Sequence, residues 1–225
     1  MIQIPSNPFR WQDFAPHERY TRARTRMRTG DIIAMGDDSF LSRLVRFRTR
    51  SDAGHVGMVY KTQGFVELLE AVRTGWFSGE IAPTRLSQRV AEYVRAGGRM
   101  WWLPLSEEVR ANLDEDRLIA AMAAQEGVKY DLWGAIASGT IFSAKPDPKT
   151  LFCSESCAYA FQQAGILPPA WNYSETSPQE LIALRLYARA VPLVGDLQEP
   201  RGFNAVDPVV YIDGPNYGPP CGAME

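Results

Sequence analysis

The sequence predicts an α+β fold, a small antiparallel sheet packed against helices. Three observations carry this. Short runs rich in β-branched and aliphatic residues sit between turn signals, as in "TGDIIAMGD" (29–37), "GHVGMVY" and "RMWWLPL". Two of these runs, 55–61 and 65–72, flank a turn at Thr62 to Gly64 and read as a hairpin. Segments with helical periodicity and end signals lie among them, the clearest at 113–127. A chain of 225 residues is long enough for one sizeable core. No repeat, charge block or composition shift divides it.

Taken in order, residues 1–28 carry Pro5, Pro8 and Pro16 and then an arginine-rich stretch, read as an N-terminal arm with a short helix. Residues 29–225 form one domain, with a long extension after 165. A strand at 29–37 is followed by an amphipathic helix at 38–50, its apolar positions at 40, 41, 44, 45 and 47 and its cap Asp38 or Ser39. The hairpin comes next. "GEIAPTRLSQRVAEYVRAGG" gives a short strand and a helix at 84–95. "RMWWLPL" is a strand that stops at Pro104. The helix at 113–127 has an acidic first turn, an alanine-rich body and a closing glycine. "YDLWGAIASGTIF" holds a short helix, and "SAKPDPKT" is a loop. A helix at 151–165 ends at Gly165, before Pro168 and Pro169. "SPQELIALRLY" opens as a helix with Ser177 as cap and proline at its first position. "PVVYID" is a last strand, and the glycine- and proline-rich tail from Gly214 is irregular.

Composition narrows the function. Charged residues make up 22% and the net charge is −2, so no broad basic field argues for nucleic acid, although Arg19 to Arg28 is locally basic. The first twenty residues are too polar for the apolar core of a signal peptide, and no run approaches the length of a transmembrane helix. Three cysteines do not make a disulfide scaffold, and an odd count points to a reducing, cytoplasmic setting.

Two of those cysteines, Cys153 and Cys157, stand four apart in "LFCSESCAYAFQQAG". A structural metal site wants four ligands, commonly in two close pairs. The chain has only His17 and His55, and Cys221 and His17 complete no spaced pair, so no metal or other cofactor is expected. Cys153 falls at the start of the helix. There the helix field and free backbone N–H groups favour a thiolate and can hold an oxyanion. A cysteine nucleophile needs an imidazole and a group that orients it. His55 opens a strand, and Glu67 or Glu70 lies across the hairpin. Those two are three apart, so a regular strand turns them to opposite faces, and periodicity does not say which meets His55. The plainer readings stand beside this one. Cys157, one turn further in, reads as packing, and Cys153 and His55 taken singly are equally a core cysteine and an edge histidine.

"GDIIAMG", "SDAGHVGMVYKTQGFVELLEAV", "YDLWGAI" and "LFCSESCAYAF", in this order, resemble the circularly permuted members of the NlpC-type papain-like superfamily, above all the YiiX-like branch and more distantly the lecithin–retinol acyltransferase-like proteins. The resemblance spans residues 29 to 165. It implies a papain-like cysteine hydrolase fold in permuted order, with Cys153 of "CSE" as nucleophile, His55 of "HVG" as base and Glu70 of "LLEA" as the third polar residue. Asp31 of "GDI" then shapes the strand start, and Glu155 is part of the signature as a carboxylate in the first turn of the helix. "CSES" replaces the commoner "CSEL", and residues 1–28 match no family element.

The expectation is a thiol hydrolase, an amidase or peptidase or an acyl hydrolase or acyltransferase. It would act on a small peptide, amide or lipid-acyl substrate through an acyl-enzyme. The backbone N–H of Cys153 would be one oxyanion donor. Trp76, Phe77, Trp101, Trp102 and Trp133 would line an apolar acyl groove or, as the plainer reading, the core. The alternative is a non-catalytic ligand- or lipid-binding protein with the same fold, in which Cys153 and His55 stand apart.

Overall fold

The computed structural model describes residues 15–37, 50–73, 78–131, 153–195 and 198–206. The first fourteen residues, the helix expected at 38–50, most of the apolar segment from 130, the strand expected at 208–213 and the tail lie outside these. So do Trp76, Phe77, Trp133 and Cys221.

Seven described strands form one sheet. They are β1 (Ile32–Gly36), β2 (His55–Lys61), β3 (Val66–Arg73), β4 (Ser78–Arg85), β5 (Arg99–Leu103), β6 (Lys129–Asp131) and β7 (Val191–Val194). Their order is β6-β4-β3-β2-β1-β5-β7, and every neighbouring pair is antiparallel. The helices are α1 (Pro16–Arg24), α2 (Leu86–Arg95), α3 (Glu107–Ala111), α4 (Glu115–Gln125), α5 (Cys153–Gln163) and α6 (Pro178–Ala183). This is the α+β arrangement of a small antiparallel sheet packed against helices, consistent with a papain-like architecture.

Strand alternation assigns side chains to two cores. Ile33, Met35, Val59, Leu68, Met100 and Trp102 face α1 and α2, where Tyr20, Ala23, Met27, Leu86 and Val90 meet them. Ile32, Ala34, Val56, Met58, Leu69, Trp101 and Leu103 face the other way, onto Leu118 of α4, Cys157 and Phe161 of α5 and Leu181 of α6. Because helices cover both faces, β1 is buried at every residue, and "IIAMG" reads as a continuous apolar run rather than an alternating one. Trp101 and Trp102 are core residues of opposite faces, 1% and 2% exposed, and line no groove.

The expected hairpin strand at 55–61 has those bounds, and its partner runs one residue further along than read. The helix expected at 84–95 begins at Leu86, because β4 continues through Arg85, which pairs with Glu67. Pro83 sits inside that strand at no cost in ladder bonds. Ile81 turns its N–H to Val128 on the β6 side, and two residues on Pro83 turns the same way, beyond the end of β6. α4 starts at the cap Asp114, whose carboxylate accepts the Arg117 N–H, and α6 starts at a capping box of Ser177 and Glu180. Gly127 and Gly165 follow α4 and α5 with φ of 78° and 79°, the left-handed geometry that closes a helix. Two described strands, β6 and β7, and the short α3 carry too few residues for periodicity to announce them. β6 takes up the start of the segment expected as a helix from Tyr130.

Asp31 anchors the entry to β1. Its carboxylate accepts the backbone N–H groups of Arg28 and Leu105 and the Trp102 indole N–H, each at 2.9 Å, and pairs with Arg110. The aspartate of "GDI" therefore ties β1, β5 and α3 together.

Candidate active site

His55 is the first residue of β2, and the turn before it is held from several sides. Gly54 N–H donates to Met35 O at 2.9 Å, and Ala53 N–H to Ser51 Oγ at 3.1 Å. Asp52 accepts from Arg99 at 3.3 Å and from the Arg201 backbone and guanidinium at 3.0–3.1 Å. The histidine thus leaves a fixed turn at the N-terminal end of the sheet's central strand, not at a sheet edge.

Parity decides between the two glutamates. Leu68 belongs to the α1/α2 face and Leu69 to the other, so Glu70 shares the face of Leu68, and Glu67 turns away. His55 has the parity of Gly57 and Val59 and looks to the same face as Glu70. The register Met58↔Leu69 sets Gly57 beside Glu70 on the adjacent strand. A methyl group at Gly57 would stand 2.7–3.0 Å from the Leu68 side chain, so the glycine of "HVG" lets β2 and β3 carry these residues at close quarters.

The side chains of Cys153, His55 and Glu70 meet. His55 Nε2 lies 2.8 Å from Glu70 Oε2. The imidazole also hydrogen-bonds the Cys153 sulfur, which leaves Nδ1 as the nitrogen for that contact. Backbone N–H groups of Val56 and Ser154 reach the same sulfur. Glu70 has no exposed side-chain surface, whereas His55 is one-fifth exposed.

Two residues that the sequence reading passed over complete the surroundings. Thr84 of β4 donates its hydroxyl to Glu70 Oε1. Arg89 of α2 donates from Nη2 to Glu70 Oε2 at 3.0 Å and holds Nε 2.8 Å from Oε1. Its Nη1 reaches Glu92 Oε2 at 2.7 Å, and its guanidinium lies 5.6 Å from the centre of the Tyr93 ring. The signal that could have found Arg89 is its place one turn into a helix, beside the apolar face of Leu86, Val90 and Tyr93 that packs on the sheet.

These contacts set the charges. Burial works against the His55 imidazolium, yet the Cys153 thiolate and then Glu70 outweigh it and push its pKa up to about 10. Burial likewise opposes a Cys153 thiolate, but the His55 charge and hydrogen bond and the two backbone N–H groups bring the thiol below its ordinary range. Glu70 is buried too, and its bond to His55, the His55 charge, Arg89 and Thr84 hold it below the usual carboxylate range. Cys157 is the reverse case. Burial, with Cys153 and Glu70 nearby, pushes its thiol well above the ordinary value. It packs in the α4–α6 core, as the sequence indicated.

Glu155 is buried in the first turn of α5. His17 is exposed on α1. Among the described residues no cluster of three His, Cys, Asp or Glu side chains could hold a metal ion, and no helix is long and apolar enough to cross a membrane.

No family model matches the chain, and no curated protein matches it. Among solved structures it is similar to a crystal structure titled as that of metalloprotein yiiX from Escherichia coli O157:H7, a DUF1105 protein, at 25% sequence identity and a TM-score of 0.45. The match covers 61% of this chain and 66% of that one, just under two thirds of that protein's length.

Proposed function

We propose that this protein is a cysteine hydrolase with Cys153 as nucleophile, His55 as general acid and base, and Glu70 as the group that orients the imidazole. The observation that supports this reading is the placement of one imidazole between a thiol and a buried carboxylate, Nε2 2.8 Å from Glu70 and the other nitrogen towards Cys153. A thiolate and an imidazolium stabilise one another there across neutral pH.

The Cys153 sulfur adds to the carbonyl carbon of an amide, ester or thioester. The carbonyl oxygen takes the negative charge, with the backbone N–H of Cys153 as one donor. Collapse breaks the bond to the leaving amine, alcohol or thiol, which takes its proton from His55 Nδ1. A thioester to Cys153 remains. His55, now neutral, removes a proton from water as it attacks that thioester, and the acid departs. An acceptor alcohol or amine in place of water makes the same sequence an acyl transfer. Small peptide, amide and lipid-acyl substrates all fit this chemistry.

Labelling the native protein with iodoacetamide across pH, read by intact mass and peptide mapping, tests it. Cys153 should react at least ten times faster than a free thiol near neutral pH, and His55→Ala should abolish that advantage. Equal, slow labelling of all three cysteines would sink the proposal.

A further inference from the structure

We propose that Arg89 is a positioning residue of this site. It holds Glu70 by a hydrogen bond to Oε2 and a close charge contact at Oε1, so that the carboxylate stays charged and aimed at His55 Nε2. This rests on the hydrolase reading above and deepens it.

Glu70 reaches the site from the middle of β3, and a glutamate side chain has three torsions to fix. His55 fixes one oxygen only. On the other side stand Thr84, donating to Oε1, and the Arg89 edge, with Nε 2.8 Å from Oε1 and Nη2 3.0 Å from Oε2. The Nη2 hydrogen bond to Oε2, the close charge contact of Nε with Oε1 and the Thr84 hydroxyl together restrict the carboxylate as the His55 bond alone does not. Arg89 is in turn held by Glu92 one turn along α2 and by the Tyr93 ring. The chain of contacts runs from the outer surface of α2 to the histidine.

The second consequence is electrostatic. A guanidinium beside Glu70 shares the carboxylate with the imidazolium and draws the imidazole towards losing its proton. Arg89 therefore keeps His55 a usable acid rather than a permanently charged one, while Thr84 adds a neutral donor. The titratable groups around the network are Cys153 from α5, Glu92 and Tyr93 from α2, and Asp37 after β1, which acts on Tyr93.

A purely structural Arg89, one that only pins α2 to the sheet, would not act on the proton of His55. The test therefore reads that proton. In the Cys153→Ser variant the thiolate no longer holds His55 protonated, and its imidazole titrates closer to neutral. With only His17 besides, and that residue exposed, ring ¹⁵N and ¹³C NMR follows His55 directly. In this background Arg89→Met removes a positive charge next to Glu70, so the His55 midpoint should rise by about one pH unit. Arg89→Lys keeps the charge and should leave the midpoint within about 0.3. In the Cys153 protein, Arg89→Lys should still slow labelling several-fold, because one ammonium cannot reproduce the separate Nη2 bond to Glu70 and Nη1 bond to Glu92. Arg89→Gln, which is neutral but keeps a donor, replaces the methionine variant if that one does not fold. A midpoint that stays put in the neutral variant, or moves equally in the lysine and neutral variants, overturns the assignment. The iodoacetamide profile of the unmodified protein tests Cys153 separately, so failure of the hydrolase reading and failure of the Arg89 role are told apart.

Discussion

Glu70→Gln is the substitution on which the electrostatics of the site can be judged most sharply. The carboxylate and the imidazolium lie 2.8 Å apart at their nearest atoms, with Glu70 fully buried and His55 one-fifth exposed. A charge-assisted bond of this kind contributes about 1.5–3 kcal/mol, against about 1 kcal/mol for a neutral one. The difference, about 0.5–2 kcal/mol, corresponds to a fall of about 0.4–1.5 pH units in the His55 midpoint, centred on about 1. Arg89 deepens the fall, because its charge would be left without Glu70. The midpoint should move from about 10 in the unmodified protein to about 9 or below in the variant. The sign carries over to stability. A histidine raised above its unfolded value of 6.5 stabilises the fold fully below that value, and the contribution is withdrawn as pH rises through about 10. In the variant it should be withdrawn about one pH unit earlier. There is also a tautomer effect. If the new amide turns its NH2 towards Nε2, the ring carries its proton on Nδ1 and no longer accepts from the thiol. NMR titration of the imidazoles, with exposed His17 as internal reference, measures the midpoint, and urea unfolding from pH 6 to 10 checks the fold. A His55 midpoint that is unchanged or higher in Glu70→Gln would refute the reasoning.

Three further outcomes follow from the packing. Gly57→Ala places a methyl group 2.7–3.0 Å from the buried Leu68 side chain and should cost about 1–3 kcal/mol in urea unfolding. Asp31→Ala leaves Arg110 and three N–H donors without their acceptor and should cost about 3–5 kcal/mol, read in the same assay. Cys157 is 1% exposed, so in Cys153→Ser it should stay unlabelled by iodoacetamide until the protein unfolds; fast native labelling there would contradict its buried placement.

The chain announced its local elements more fully than their assembly. Strands β1, β2, β3, β4 and β5 and helices α1, α2, α4, α5 and α6 were legible, most of them from a run of β-formers between turn residues or an apolar periodicity with an end signal. β7 was not. "VPLV" is four residues with a proline, and it becomes a strand only because β5 offers an open edge to it. Arg89 illustrates the same limit at the site. Along the sequence it is one more arginine on an amphipathic helix, and its role arises from β3 and α2 lying side by side. Glu70 falls between the two cases. Alternation says that Glu67 and Glu70 face opposite ways, but the face that meets His55 depends on the β2–β3 register, which the turn at Thr62 to Gly64 and the fit of Leu68 over Gly57 impose.

The register also explains why two cysteines one turn apart have different chemistry. His55 and Glu70 lie on the sheet face covered by α1 and α2, whereas α5 packs on the opposite face. A residue in the body of α5 is separated from His55 by the sheet itself, and Cys157 accordingly ends among Val56, Met58 and Phe161. Among the described residues the two faces meet at this strand end. His55 is the first residue of β2, Cys153 is the first described residue of α5, and the sulfur meets the N–H of Val56 at the end of the sheet. Both residues must therefore stand at the extreme start of their elements. A shift of His55 by two residues would keep its face and lose the contact, and a shift of Cys153 by two would turn it about 200° around α5, away from the histidine. That constraint fixes the turn before His55, with Asp52 bound to Arg99 and Arg201, as firmly as it fixes the histidine.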